Sequence, residues 1–262
     1  MELLGYFLAL FVGIALGLIG GGGSILAMPI LVYIFHFNPQ LATSYSLFVV
    51  GISALIGSIK HYKLNNLNLN TAFVFGIPSI ASLLLTRKFI LPQIPNIIIS
   101  FNKIIITKNI LLMIVFAALM IAASISMISN KKNETKLNIP SKNKLAFVGF
   151  MVGFVTGFLG AGGGFLIIPA LIFFAALPMK QAIGTSLFII AVNAMIGFIG
   201  DLINNVQLDF QFLLQFSVIA IIGIFIGTYL SKKVDGNKLK PAFGWFVLVA
   251  GIYIIAKEIF FY

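Results

Sequence analysis

The stretch "GLIGGGGSILAMP", residues 17–29, places four consecutive glycines in a chain that is otherwise almost entirely apolar. Each glycine costs a helix interior about 1 kcal/mol relative to alanine, and a proline costs more. The apolar run 25–36 that follows would extend only about 18 Å as a helix, whereas the hydrocarbon core of a membrane is about 30 Å thick. The stretch therefore predicts a short helix that is one half of a broken or re-entrant pair.

The composition of the whole chain fits a membrane protein. Of its 262 residues 60% are hydrophobic and only 9% are charged, whereas soluble domains carry about 25% charged residues. The apolar runs are continuous, unlike the alternating strands of a membrane barrel, and several approach the length of about 20 residues that a spanning helix needs. We therefore expect an all-α polytopic membrane protein with about 8–10 membrane segments, including short broken or re-entrant helices.

An internal repeat organises the chain. The segment "GIALGLIGGGGSILAMPIL" (13–31) aligns without a gap to "GFVTGFLGAGGGFLIIPAL" (153–171), 140 residues later. Between 13–57 and 153–197, 15 of 45 positions are identical, and shared apolar composition alone would not align their glycines. The sequence thus predicts a first membrane repeat at 1–128, a polar linker at 129–144 and a second membrane repeat at 145–262.

The distribution of charge predicts the topology. The linker "SNKKNETKLNIPSKNK" has five lysines and one glutamate, which favours a cytoplasmic loop. An odd number of crossings in each half then places the lysine-rich loop 231–240 inside and the loop 201–209, with its two aspartates, outside. The two homologous repeats are therefore expected to be inverted, as in many secondary transporters. The basic segment 87–108 departs from this distribution.

The glycine clusters are the first candidate substrate site. Glycines let the backbone turn and expose their N–H groups, and the positive N-terminal end of a helix attracts anions. Helices starting at Ser24 and at its counterpart Gly164 would point such ends into a shared pocket at the membrane midplane. Close helix packing is the alternative role. The candidate residues are Gly20, Gly21, Gly22, Gly23, Ser24, Gly160, Gly162, Gly163 and Gly164.

Hydroxyl and amide side chains supply further candidates. Ser44, Ser46, Thr185 and Ser186 lie at or near predicted helix starts, where a hydroxyl can donate to an oxyanion or instead bond within its own helix. Ser53 and Asn193 occupy equivalent positions of the two repeats in mid-helix, and Asn193 is the best single polar candidate, with an interhelical hydrogen bond as its alternative role.

Three other polar residues are expected to lie at the membrane surface. Arg87, the only arginine, could bind an oxyanion with its planar guanidinium, but it ends an apolar run and fits a flanking anchor better. His36 and His61 lie next to loops and are expected to be interfacial.

The sequence also disfavours other functions. Without cysteine there is no thiolate nucleophile, disulfide or cysteine-ligated metal, so we expect no enzyme and neither a metal nor a cofactor. No acidic residue lies in the middle of an apolar run, where a proton relay would place one. The net charge of +11 is attributed to lysines that flank membrane helices rather than to nucleic-acid binding. An anion channel and a non-transporting membrane adaptor remain as alternatives.

The same motifs resemble a known family. The two glycine clusters, each followed by a short apolar helix with a proline and then by "TSYSLF" (43–48) or "GTSLF" (184–188), are similar to the sulfite exporter TauE/SafE family over essentially the whole chain. Ser44 and Tyr45 stand where the second copy has Gly184 and Thr185. The resemblance implies a multi-pass permease of a prokaryotic inner membrane that exports small sulfur-containing or organic anions such as sulfite or sulfonates.

The residues themselves are compatible with this resemblance. Backbone N–H groups, helix ends and hydroxyls would form an uncharged site for a small anion at the midplane between the two repeats. We therefore expect an alternating-access carrier whose partners are its substrate and the lipid bilayer.

Overall fold

The computed structural model describes residues 2–95, 97–101, 104–128, 141–159, 163–203, 206–234 and 236–260. These residues form ten α-helices and one small β-hairpin, which confirms the helical polytopic class. Within them, four helices are long and apolar enough to cross a membrane by length and composition: Pro39–Lys63, Leu69–Gln93, Met179–Ile203 and Phe210–Lys233. Shorter apolar helices cover Leu3–Ile19, Met113–Ile125 and Gly244–Lys257.

Five helices precede the linker and five follow it. The first half comprises α1 (Glu2–Ile19), α2 (Gly22–Tyr33), α3 (Pro39–Lys63), α4 (Leu69–Leu85) and α5 (Lys108–Ile128). The second half comprises α6 (Lys142–Leu159), α7 (Gly164–Phe174), α8 (Met179–Ile203), α9 (Phe210–Lys233) and α10 (Gly236–Phe260). The start of α6 lies inside the predicted linker 129–144, of which 129–140 is outside the described residues.

Side-chain caps explain several helix starts. Asn38 accepts a hydrogen bond from the Leu41 N–H at 2.8 Å at the start of α3, and Asn68 accepts one from the Thr71 N–H at 3.0 Å at the start of α4. Asp209 caps α9 in the same way. Such caps satisfy N–H groups that have no partner within the first helical turn.

The segment between α4 and α5 departs from the sequence prediction. After Leu85 the chain continues as a π-helical turn (Thr86–Ile90) and a 3₁₀ turn (Leu91–Gln93). Strands β1 (Ile97–Phe101) and β2 (Ile104–Thr107) then pair antiparallel. Within the described residues, this hairpin is a local departure from the all-α class expected from the sequence. Its isoleucines are β-branched and favour strands, and a short apolar run does not by itself distinguish strand from helix.

The two halves have the same helix order and the same packing partners. Helices α1 and α6 each have 18 residues, and α3 and α8 each have 25. Helix α1 packs along α9 as α6 packs along α4, while α3 pairs with α8 and α5 with α10. In both α1 and α6, glycines let the partner backbone approach: Gly13 lies against Ala220, and its counterpart Gly153 lies against Ser79.

The counterpart helices α3 and α8 run in opposite directions. In the pair α3–α8, Ser44 contacts Asp201 at one end and His61 lies against Gly184 at the other, so the two helices are antiparallel. The end with His61 is rich in cations, and we call it the lysine-rich end; its lysines are Lys60, Lys63, Lys180, Lys232 and Lys233. The opposite end carries Asp201 and Asp209, and we call it the aspartate end.

Helices α3 and α8 form the centre of the molecule. In each, 72% of an apolar 18-residue window is buried inside the protein. The corresponding value is 39% for the helical segment Leu69–Gln93 and for α9. The outer helices expose large apolar side chains such as Ile222, Phe225, Trp245 and Val249. An exposed apolar surface of this extent fits a protein whose outer helices face lipid.

Candidate functional site

The glycine breaks of the two halves touch each other inside the bundle. Gly20 and Gly163 have positive φ angles of 83° and 68°, in the left-handed region that favours glycine. A Cβ atom placed on Gly21 would collide with the carbonyl oxygen of Gly164. The break between α1 and α2 and the start of α7 are thus in direct backbone contact.

Two short helices start at this contact. Helix α2 begins at Gly22 rather than at Ser24, so the predicted start is wrong by two residues and Ser24 lies in the first turn. Helix α7 begins at Gly164. They have 12 and 11 residues, or about 18 and 17 Å, and neither has a side-chain hydrogen bond at its N-cap. The predicted residues Gly160 and Gly162 lie outside the described residues.

The glycines around the break are also tightly packed. A Cβ atom on Gly20 would lie 2.9 Å from both the Cα of Ile183 and the Oγ of Ser186. A Cβ atom on Gly23 would collide with Leu16 and with the carbonyl of Val12. For Gly23 the structure therefore supports the packing role, whereas Gly20 and Gly21 lie where the two halves meet.

Three of the four predicted hydroxyls near helix starts bond within the protein. Ser44 donates to Oδ2 of Asp201 at 2.6 Å, and Ser186 donates to the carbonyl of Ile183 at 2.8 Å. The Thr185 hydroxyl accepts a hydrogen bond from the Asn68 N–H at 3.0 Å. The Oγ of Ser46 is fully buried and has no hydrogen-bond partner.

The middle of the α3–α8 pair holds two further predicted residues. Gly51 lies opposite Met195, and this register brings Ser53 and Asn193 to the same level. Asn193 donates through Nδ2 to the Oγ of Ser79 at 2.9 Å, but its Oδ1 and the Oγ of Ser53 are buried without a partner. A buried unsatisfied polar atom costs about 1–3 kcal/mol, so these atoms suit a site that receives a polar ligand. Ser79 was not among the predicted residues, because α9 has the apolar Ala220 in the equivalent packing position.

Arg87 belongs to an ion pair rather than to the membrane surface. Its Nη2 lies 2.7 Å from both carboxylate oxygens of Asp201, and the side chains are only 12% and 11% exposed. The interpretation of Arg87 as a flanking anchor is therefore wrong. The pair joins the π-helical turn after α4 to the end of α8, and Ser44 of α3 donates a hydrogen bond to the same carboxylate.

A cavity lies at the lysine-rich end, where the sequence predicted only an interfacial histidine. His61 is 2% exposed, so that prediction is wrong, whereas His36 is exposed as expected. We call the space beside it the His61 cavity; it has a volume of about 250 Å³ and is lined by His61, Leu64, Asn66, Lys180, Ile183, Ser231 and Lys232. In the part of the chain that the structure describes, no group of three His, Asp or Glu side chains could hold a metal ion.

These features define a polytopic helical membrane protein in which two broken helix pairs meet inside the bundle. The chain belongs to the sulfite exporter TauE/SafE family, whose model matches residues 6–254. A "Probable membrane transporter protein" of Xylella fastidiosa (strain 9a5c) is 30% identical over 250 residues, covering 94% of this chain and 92% of the relative. Another "Probable membrane transporter protein", from Methanocaldococcus jannaschii, is 26% identical over 257 residues, covering 93% and 91%.

The similarity extends to a third organism. The "Probable membrane transporter protein YjnA" of Bacillus subtilis is 25% identical over 256 residues, covering 95% of this chain and 97% of the relative. No solved structure matches the chain. The family resemblance predicted from the glycine clusters is confirmed, and the protein is a multi-pass membrane transporter.

Proposed function

We propose that this transporter exports small sulfur-containing or organic anions, such as sulfite or sulfonates, from a prokaryotic cell. The observation that carries the proposal is the contact between Gly21 and Gly164, which brings the starts of α2 and α7 together inside the bundle. Helix N-termini carry partial positive charge and are ready sites for anions. Two such ends side by side favour an anion over a cation or a neutral solute.

Nearby polar atoms support an uncharged site between the two halves. Ser46 and Ser53 offer hydroxyls without a partner, and the Oδ1 of Asn193 is free. A hydroxyl can donate to an oxyanion oxygen, and the Asn193 amide can rotate to present its NH₂ group. These atoms would orient the substrate, while the helix ends would supply most of the electrostatic attraction.

The opposite directions of α3 and α8 support alternating access. Inverted repeats in secondary transporters place the substrate site near the midplane and move one repeat against the other. The Arg87–Asp201 pair joins two helices at the aspartate end, and the His61 cavity lies at the lysine-rich end. The positive-inside rule makes the lysine-rich end cytoplasmic, and in a prokaryote that orientation belongs to the inner membrane. The described arrangement then corresponds to the form that loads substrate from the cytoplasm.

The membrane potential is a sufficient driving force for this export. Moving one negative charge outward gains about 2.3 kcal/mol per 100 mV of inside-negative potential, or roughly a forty-fold gradient. The described acidic side chains lie near helix ends rather than in mid-membrane, so facilitated diffusion of the anion is the simplest mechanism.

Flux measurements in proteoliposomes test the proposal. Vesicles loaded with sulfite, methanesulfonate or sulfate should show saturable efflux of at least one anion, and an imposed inside-negative potential should accelerate it. Gly21→Val should abolish the flux because its side chain would occupy the contact with Gly164. The matched control is Gly200→Val, because a Cβ atom on Gly200 would meet no atom within 4 Å.

Three results would contradict the proposal. Absence of flux for every anion would favour a non-transporting membrane adaptor. Large non-saturating currents would indicate a channel. Equal flux in Gly21→Val and in the parent would show that the substrate does not bind at the glycine contact.

A further inference from the structure

The His61 cavity has the chemistry of an anion site, and it lies apart from the glycine contact. Lys180 and Lys232 are exposed and stand at its mouth, while His61 and Ser231 are buried at its inner wall. No carboxylate is among the described residues that line it. A cavity with two ammonium groups and no acidic side chain attracts small anions from solution.

His61 makes the cavity more than a basic surface patch. It lies beside the Gly17 backbone, yet neither ring nitrogen makes a hydrogen bond of ordinary distance and angle. The Gly17 backbone can satisfy at most one of the two ring nitrogens. Because buried polar groups in proteins are nearly always paired, the other nitrogen indicates a missing ligand in the cavity that the imidazole lines. The ring can donate an N–H to an oxyanion oxygen.

The opposite end of the molecule shows what would fill this place. His61 and Asp201 are counterparts, since α3 and α8 have the same bounds 140 residues apart. At the aspartate end, the Asp201 carboxylate binds the cationic Arg87 and the Ser44 hydroxyl. At the lysine-rich end the corresponding position is His61, and the cations beside it face a cavity. An external anion bound there would pair with the cations, as the Asp201 carboxylate pairs with Arg87 at the other end.

A single residue separates the cavity from the glycine contact. Ile183 lines its inner wall, and the same residue lies against Gly20. A volume of about 250 Å³ is below the 300–1,000 Å³ typical of sites for drug-sized ligands. The space therefore suits a small oxyanion with few heavy atoms.

We propose that the His61 cavity is a second anion site, in which a small oxyanion binds to His61, Lys180 and Lys232 before it reaches the glycine contact. This inference rests on the proposed anion transport. It names the residues that select and collect the substrate at the lysine-rich end, and none of them was among the candidates predicted from the sequence.

Histidine NMR of the full-length protein tests the site directly. The chain has only two histidines, so labelling histidine with ¹⁵N in the ring gives signals from His61 and from the exposed His36. The protein in lipid nanodiscs is titrated with sulfite, and chloride at equal ionic strength serves as the reference. Saturable shifts of the His61 signals with unchanged His36 signals are expected, and His36→Asn assigns the two sets.

Matched variants assign the lysines. Lys180→Gln and Lys232→Gln should each weaken sulfite binding about tenfold, the size expected for losing a hydrogen bond to a charged group. Lys233→Gln is the control: it removes a neighbouring charge in the same helical turn, but Lys233 lies over the Tyr229 ring and does not line the cavity. Its binding curve should match the parent.

The outcomes separate this inference from the proposed function. One outcome would overturn the second site and leave the transport proposal standing. In it, sulfite is transported, the His61 signals do not shift on titration, and both lysine variants bind sulfite with the parental affinity. An equal loss of affinity in Lys233→Gln would also overturn it, because general surface charge would then explain the binding. Absence of both flux and binding for sulfite, methanesulfonate and sulfate would overturn the transport proposal itself.

Discussion

Arg87 and Asp201 join the two halves of the chain through a buried ion pair, with the Arg87 Nη2 2.7 Å from each carboxylate oxygen. The Ser44 hydroxyl donates to the same carboxylate. Ser44 and His61 are 17 residues apart on α3, so this pair lies about 26 Å along the helix from the His61 cavity. At one end the cation and the carboxylate thus pair within the protein, whereas at the other end cations line a cavity.

Removing one partner of this pair should destabilise the protein strongly. Asp201→Leu leaves the Arg87 guanidinium buried and unpaired, which costs about 3–5 kcal/mol. The double variant Arg87→Leu with Asp201→Leu should recover most of the loss, because no uncompensated charge remains. Thermal unfolding of the purified protein in detergent checks the order of the three apparent Tm values. A double variant no more stable than Asp201→Leu would contradict the assignment.

The contact between α1 and α9 should not tolerate a side chain at Gly13. A Cβ atom there would collide with the Ala220 carbonyl, and overpacking of this kind costs about 1–3 kcal/mol. Gly13→Ala is therefore expected to lower the apparent Tm, whereas Gly200→Ala should leave it unchanged or raise it, because alanine favours the helix and meets no neighbour. Equal effects of the two substitutions would show that the helices can separate at no cost.

Asn193 should matter more for substrate affinity than its partner Ser79. Ser79→Ala removes the 2.9 Å hydrogen bond to Asn193, which is worth about 1 kcal/mol of stability, and should change anion affinity by less than about twofold. Asn193→Leu also removes the amide that the proposed site uses, so its affinity should fall about tenfold. Binding curves for sulfite check the contrast. Equal affinities of the two variants would leave Asn193 with a purely interhelical role.

The lysine-rich end should face the cytoplasm. The chain has no cysteine, so single cysteines can be introduced without a background. Both Lys63, at the end of α3, and Gln211, at the start of α9, are exposed. In intact cells an impermeant maleimide should label Gln211→Cys and should reach Lys63→Cys only after the inner membrane is permeabilised. The reverse pattern would invert the proposed topology and place the His61 cavity on the outer side of the membrane.

Much of the architecture follows from the sequence alone. Continuous apolar runs determine helices because a membrane has no water to satisfy backbone groups, and the duplicated glycine clusters mark where those helices break. The short α2 and α7 and the family membership were both predictable from these signals. The breaks before these short helices are local properties, because a run of glycines has the same backbone preferences wherever it lies in the fold.

The tertiary structure alone decided which polar groups meet. Nothing local pairs Arg87 with Asp201, 114 residues away, or buries His61 beside a cavity. From the sequence both were expected at the membrane surface, because Arg87 ends an apolar run and His61 lies next to a loop. The π-helical turn after α4 brings Arg87 into contact with Asp201 at the end of α8, and the ends of α3, α8 and α9 line the cavity beside the imidazole. Pairing and burial depend on the positions of several helices at once, and no single segment encodes them.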